Sequence, residues 1–186
     1  MFQVDQNSGG ARWPLVRVQV GGETKVVLLA MQFLPLTVHW VGRSVPCAGD
    51  GCALCSWLPG RGLFYLPVMC SGRASILELS AISASHLEQH CKLLHGGVRT
   101  GLVLRLSRRT TKAPIFSEVI EEKQGVRNVP SVDFAGRVMA LFQLPGPNPG
   151  ESIEDYSGRC SKICLRRSES EVAKLKASAE KRVSSR

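Results

Sequence analysis

Through Gln124 the chain alternates apolar and polar side chains in short runs punctuated by glycine and proline. In PLVRVQV (14 to 20), Leu15, Val16, Val18 and Val20 mark a strand, and Gly21-Gly22 supplies a tight turn into ETKVVLLAMQF. Pro35 separates that strand from LTVHWV, so the first 41 residues read as a β-meander. After a cysteine-bearing loop, GLFYLPVMCSGRASILELS (62 to 80) predicts a hairpin turning at Ser71-Gly72. The period then lengthens. In SAISASHLEQHCKLLHGG the apolar positions Ile82, Leu87, Cys91 and Leu94 recur near a helical turn; Ser80 or Ser83 caps the start, and Gly96-Gly97 stops the helix. Two further strands, TGLVLRLSRR (100 to 109) and APIFSEVIEE (113 to 122), flank a basic turn carrying Arg108, Arg109 and Lys112.

Strands, one helix, then two strands is the order of a mainly β chain with one helix. It predicts an OB-like Greek-key barrel in which the helix plugs one end, with an SH3-like barrel as the alternative. The barrel is expected over 13–124, with the cysteine-bearing loop inserted at 39–57 and a loose leader over 1–12. Residues 125–150 read as an extension, DFAGRVMALFQLP, running into a Pro/Gly linker, PGPNPG. From Glu151 onward the chain is rich in Ser, Lys, Arg and Glu. It reads as a flexible basic C-terminal tail in which SESEVAKLKASAEKR forms a transient helix at most.

Composition narrows the function classes. With 186 residues, 44% hydrophobic and 21% charged, the chain is one domain with extensions, and a wholly disordered protein is excluded. A net charge of +9 favours a polyanionic partner, nucleic acid first and an anionic membrane surface second. The opening MFQVDQNSGGARWP lacks the pattern of a signal peptide, and VVLLAMQFLPL (26 to 36) is too short to span a bilayer. An intracellular protein without a membrane partner is expected. Its 7 cysteines are an odd number with three inside nine positions, which in a reducing compartment points to metal more than to disulfides.

That cluster lies in HWVGRSVPCAGDGCALCSW. His39, Cys47, Cys52 and Cys55 supply one imidazole and three thiolates, the donor set of a closed, structural Zn2+ site. The two-residue gap between Cys52 and Cys55 lets both grip one ion from a tight turn, and Gly49 and Gly51 let the backbone bend there. A buried sulfur cluster without metal is the competing reading. A redox pair is disfavoured because no βαβ pattern surrounds it, and a catalytic thiol because three clustered thiols would bind metal instead. Catalytic zinc would leave one position for water, and the only acid in the loop is Asp50. His86, His90, Cys91 and His95 form a less specific set, read as partly exposed histidines and a core cysteine. Cys160 and Cys164 read as spare thiols, and Cys70 as packing.

The order of a strand with His39, a loop with Cys47, the Cys52–Cys55 pair and then FYLPV (64 to 68) resembles the zinc-containing OB-fold single-stranded DNA-binding protein of T-even bacteriophages, over roughly residues 25 to 95. The resemblance implies a structural zinc on those four residues beside a basic DNA cleft. It does not extend to cooperative binding or tail-mediated recruitment. MFQVDQNSGG lacks that family's basic segment, and a basic tail stands where the family has an acidic one.

Independent of the resemblance, single-strand binding needs cations for phosphates and aromatic faces for bases. Trp40, Trp57 and Tyr65 flank the loop, with core packing as the competing role of each. Arg43, Arg61, Arg73, Arg105, Arg108, Arg109 and Lys112 fall on the adjoining strands and turns. Phe33, Phe64 and Phe116 read as core. At 6% aromatic content, attraction to the phosphate backbone outweighs base stacking. The expectation is non-catalytic binding of single-stranded DNA, or RNA, in replication, recombination or repair, with proteins of those processes as further partners. A zinc-stabilised protein-interaction adaptor is the rival. A zinc-dependent nucleic-acid enzyme is disfavoured, because the sequence has neither paired carboxylates nor a phosphate-cradling glycine loop.

Overall fold

A computed structural model describes residues 12–30 and 32–184. Eight strands, β1 (Leu15–Val16), β2 (Glu23–Leu28), β3 (Leu34–Trp40), β4 (Ser44–Pro46), β5 (Arg61–Cys70), β6 (Arg73–Ser80), β7 (Leu102–Ser107) and β8 (Phe116–Glu122), form one sheet. Three helices accompany it: α1 (Ala81–His95), α2 (Ser131–Leu141) and α3 (Ile153–Ser184). The strand order is β1-β6-β5-β2-β7-β8, and β3 with β4 branches from β5. All pairs are antiparallel except β1 with β6.

β5 organises the sheet. One edge pairs with β6 from Leu63 to Cys70; the other is shared, its first half with β3 and its last residues with β2. Successive β5 side chains go to opposite faces. Leu66 and Val68 pack with Val26, Leu28, Leu77 and Leu104 under Ala84, Leu87 and Cys91 of α1. Leu63 and Tyr65 point the other way, against Phe134 and Val138 of α2. Each fully buried aliphatic side chain contributes about 1.5–3 kcal/mol, so both faces are held. The β5–β6 turn at Ser71-Gly72 lies where expected, with positive φ at both residues as a two-residue hairpin turn requires. Ser80 caps α1 by accepting the Ser83 N–H, and Gly96 closes the helix in the left-handed region.

Several expectations are corrected. The sheet is open, with β1 and β8 at its edges, so it is not a closed Greek-key barrel, and the described residues form three α-helices where one was expected. The extension over 125–150 contains α2. The segment from Glu151, expected to be loose, is a helix of 32 residues that packs on α2 and on the cysteine loop. Its buried positions Tyr156, Cys160, Cys164, Ser168 and Val172 recur every four residues. Only one of them is aliphatic, and cysteine packs as a small hydrophobe; an aliphatic count therefore misses this face. On α1, Ile82 is exposed and Ser83 takes its place inside. The Leu94 side chain lies outside the described residues, as does the leader apart from Arg12, an exposed coil residue. Phe33 and Phe64 pack edge to face at 6.2 Å, whereas Phe116, expected in the core, is 68% exposed.

Candidate metal centre and the adjoining basic groove

β3 carries His39 into the interior, and a short hairpin through β4 returns the chain to Cys47. Gly49 and Gly51, both at φ +79°, then turn the backbone into a single 3-10 turn, Ala53–Ser56, which carries Cys55 next to Cys52. One ligand atom from each of His39, Cys47, Cys52 and Cys55 lies within 4.8 Å of all the others. Cys47 Sγ is 3.5 Å from Cys55 Sγ, and His39 Nε2 is 3.6 Å from Cys52 Sγ and 3.5 Å from Cys55 Sγ. Three sulfurs and one imidazole nitrogen thus converge on a common centre, an arrangement that can hold a metal ion.

The surroundings favour that role. His39 Nδ1 lies 3.2 Å from the Leu58 carbonyl oxygen, which takes the ring N–H and leaves Nε2 as the free donor toward the sulfurs. Gly49 N–H donates to Cys47 Sγ at 3.4 Å. Burial works against ionising Cys52, but hydrogen bonds from the backbone at Ala48, Leu54 and Cys55 and from the Cys47 thiol outweigh it, bringing Cys52 down to about 6. Cys55 is pushed up to about 11, chiefly by its hydrogen bond with Cys47. Cys52 therefore ionises more readily than Cys55. Gly60 is needed for space: a β-carbon there would stand 2.7 Å from Thr37 Cγ2 and 3.6 Å from the His39 ring.

Helix α3 closes the outside of this knuckle. Buried Ser168 accepts the Ala53 N–H at 3.3 Å, Val172 packs with Val45, Cys52 and Leu54, and Glu171 pairs with Arg43 at 3.1 Å. This support is the part of the site that sequence reasoning missed.

A groove of about 550 Å3 runs beside the metal centre, with His39 and Trp40 on one wall and Arg17, Arg61 and Arg108 around it. Its acid is Glu78, which accepts both Arg17 hydrogen bonds, at 2.7 and 3.1 Å, and the Tyr65 hydroxyl at 3.4 Å. A smaller hollow shares Arg17, Ser44 and Glu78 with the groove and adds Arg43. Trp40 is 69% exposed; Trp57, 48% exposed, does not line the groove and lies beside Lys176 of α3. Arg109 and Lys112 are exposed on the β7–β8 turn, which Arg108 braces by donating to the carbonyls of Thr111 and Ala113.

Of the expected contacts, Trp40, Arg61 and Arg108 line the groove and Arg43 the smaller hollow, Trp57, Arg109 and Lys112 are exposed but line neither, and Tyr65, Arg73 and Arg105 are placed otherwise. Tyr65 is 1% exposed beneath α2 and Phe142, so it offers no face to a base. Arg73 stands at the β5–β6 turn, the opposite end of β5 from Arg61. Arg105 lies on the outer face of β7, paired with Glu118 at 3.1 Å. Conversely, Arg17 enters the groove although it was not among the expected contacts; its place between Val16 and Val18 on an alternating run was the available signal.

The remaining polar sets are structural. His90 bonds Ser117 at 3.2 Å, and burial pushes the Cys91 thiol up to about 11. The side chain of His95 lies outside the described residues. Cys70 packs against the α1 side of the sheet. Cys160 and Cys164, read as spare thiols, are buried between α3 and α2, and burial raises Cys164 to about 11. Among the described residues no helix is long and apolar enough to cross a membrane. No family model, curated protein or solved structure matches the chain.

Proposed function

We propose that this protein binds single-stranded nucleic acid, DNA in the first instance, without catalysis, along a groove whose wall is held by structural zinc. Three of the six donor–donor distances are compatible with zinc. A tetrahedral zinc with Zn–S of about 2.3 Å and Zn–N of about 2.0–2.1 Å places sulfurs about 3.8 Å apart and nitrogen about 3.6 Å from sulfur. The separations of 3.5 Å, 3.6 Å and 3.5 Å lie close to that figure. Four protein donors leave no position for a reacting water, which favours a structural role. His39, Cys47, Cys52 and Cys55 would hold the ion, and bound zinc would supply folding free energy to a loop with little core of its own.

The observation that carries the binding assignment is the groove: Arg17, Arg61 and Arg108 converge on one cavity next to exposed Trp40. Cations lining one groove suit a phosphodiester chain, and an exposed indole offers a face to any base. Glu78 does not oppose this, because it already neutralises Arg17 and buries its remaining capacity on Tyr65. Replication, recombination and repair are the processes in which such an activity serves.

Anisotropy titration with labelled oligonucleotides across salt tests the proposal. Tighter binding of single strands than of duplex is expected, with log K falling against log salt at a slope of about −1.4, or roughly 0.7 for each of about two phosphates, those met by Arg61 and Arg108. Arg61→Ala with Arg108→Ala should weaken binding about tenfold or more. Equal affinity for duplex, or no binding at low salt, overturns the assignment.

A further inference from the structure

Trp40 lines the groove, whereas a second exposed tryptophan, Trp57, lies outside it. Lys176 of α3 lies 5.8 Å from the centre of the Trp57 ring. Earlier on the same helix, Glu171 holds Arg43 at 3.1 Å and Lys174 at 2.9 Å. Arg43 in turn lines the hollow that shares Arg17 with the groove. From Lys176 through Lys181 every α3 residue is exposed, so the helix runs past the body it packs on. Cations and an aromatic face thus continue from the groove, through Arg43, to a surface built jointly by the knuckle and α3.

We propose that the path of a bound single strand continues over this surface, with Trp57 as a second base platform and Arg43 and Lys176 as its phosphate contacts. The proposal rests on the groove reading and extends it. Both α3 contacts can exchange partners. A base stacked on an indole gains more than an exposed ammonium over the same ring, so a base displaces Lys176, and the released ammonium meets a neighbouring phosphate. Arg43 turns from Glu171 to a phosphate while Lys174 remains to neutralise that carboxylate. α3 is then one wall of the binding site as well as a brace for the metal centre.

The test compares the full chain with Lys176→Ala and with Lys176→Ala/Trp57→Ala, on labelled oligo-dT of about 6 and about 20 nucleotides, lengths chosen around the usual single-domain site size. Metal content and circular dichroism establish that each variant folds; Lys176→Ala alters one exposed side chain and keeps the proposal testable if the double variant does not fold. On the longer strand the double variant is expected to bind about tenfold more weakly, and Lys176→Ala to lower the salt slope by about 0.7. On the shorter strand both should stay within about twofold of the parent. Unchanged or tighter binding of the longer strand by these variants overturns the extension. If Arg61→Ala/Arg108→Ala still weakens both strands in that case, the groove reading survives. If the parent protein binds neither strand, both readings fall.

Discussion

Ser168 of α3 and Ala53 of the knuckle, 115 residues apart in sequence, are joined by a hydrogen bond in which the Ala53 N–H donates to Ser168 Oγ at 3.3 Å. The same hydroxyl donates to the Leu165 carbonyl at 2.7 Å, so it satisfies both polar functions of a fully buried side chain. The last helix and the metal loop therefore stabilise each other. Ser168→Val should cost about 1–3 kcal/mol, because the Ala53 N–H loses its acceptor. Denaturant melts of the two proteins measure it.

The coupling has a consequence for metal removal. Stripping the metal with a strong chelator should loosen the knuckle and, with it, the part of α3 that rests on Val45, Cys52 and Leu54 through Val172. Limited proteolysis should then cut within 165–176 at a rate well above that of the untreated protein, while β5 and β6 stay protected. Re-addition of zinc should restore resistance.

Tyr65 separates structural from binding roles. Its hydroxyl reaches Glu78 at 3.4 Å, and its acidity is suppressed by burial and by that carboxylate. Tyr65→Phe removes one weak hydrogen bond and should cost about 0.5–1.5 kcal/mol, with oligonucleotide affinity unchanged. Tyr65→Ala should cost about 3–5 kcal/mol by opening a cavity under α2. Thermal melts together with anisotropy check both.

The start of α3 should respond to acid. Glu151 accepts two hydrogen bonds from Arg159, at 2.9 and 2.7 Å, and one from the Asn148 N–H at 2.7 Å; these partners, the guanidinium foremost, hold its carboxyl near about 2. A depressed folded-state pKa means that the clamp's stabilisation is fully present above the unfolded value of about 4.3 and is lost as pH falls toward about 2. Glu151→Gln should therefore lower the melting temperature at pH 7 and make little difference near pH 2. A pH series of melts on both proteins provides the comparison.

The β5–β6 hairpin, β7, β8 and α1 were legible because their apolar positions keep a clear period and turn residues mark their ends, as at Ser71-Gly72. The β-meander expected over the first 41 residues does not form, because β1 pairs with β6, β2 with β5 and β7, and β3, which contains Pro35, with β4 and β5. The four candidate metal donors were legible because their short-range spacing, Cys52 to Cys55 above all, is the spacing that a shared ion requires. Sheet closure was not, since strand order depends on long-range pairing: β1 adds in parallel to β6, which no local signal announces. Alternation puts Tyr65 on the side of β5 opposite Leu66 and Val68, but that side is covered by α2, and the DFAGRVMALF stretch that forms α2 reads in the sequence as an extension. Helix α3 was missed because its inward face is written in Tyr156, Cys160, Cys164 and Ser168, whose burial comes from neighbours that only the fold supplies.

X-ray absorption at the zinc edge, on protein purified without chelator, tests the metal-held groove wall most directly. One zinc per chain is expected, with about three sulfurs at about 2.3 Å and about one nitrogen at about 2.0–2.1 Å. Protein that is folded and metal-free, or a zinc shell dominated by oxygen, would contradict it.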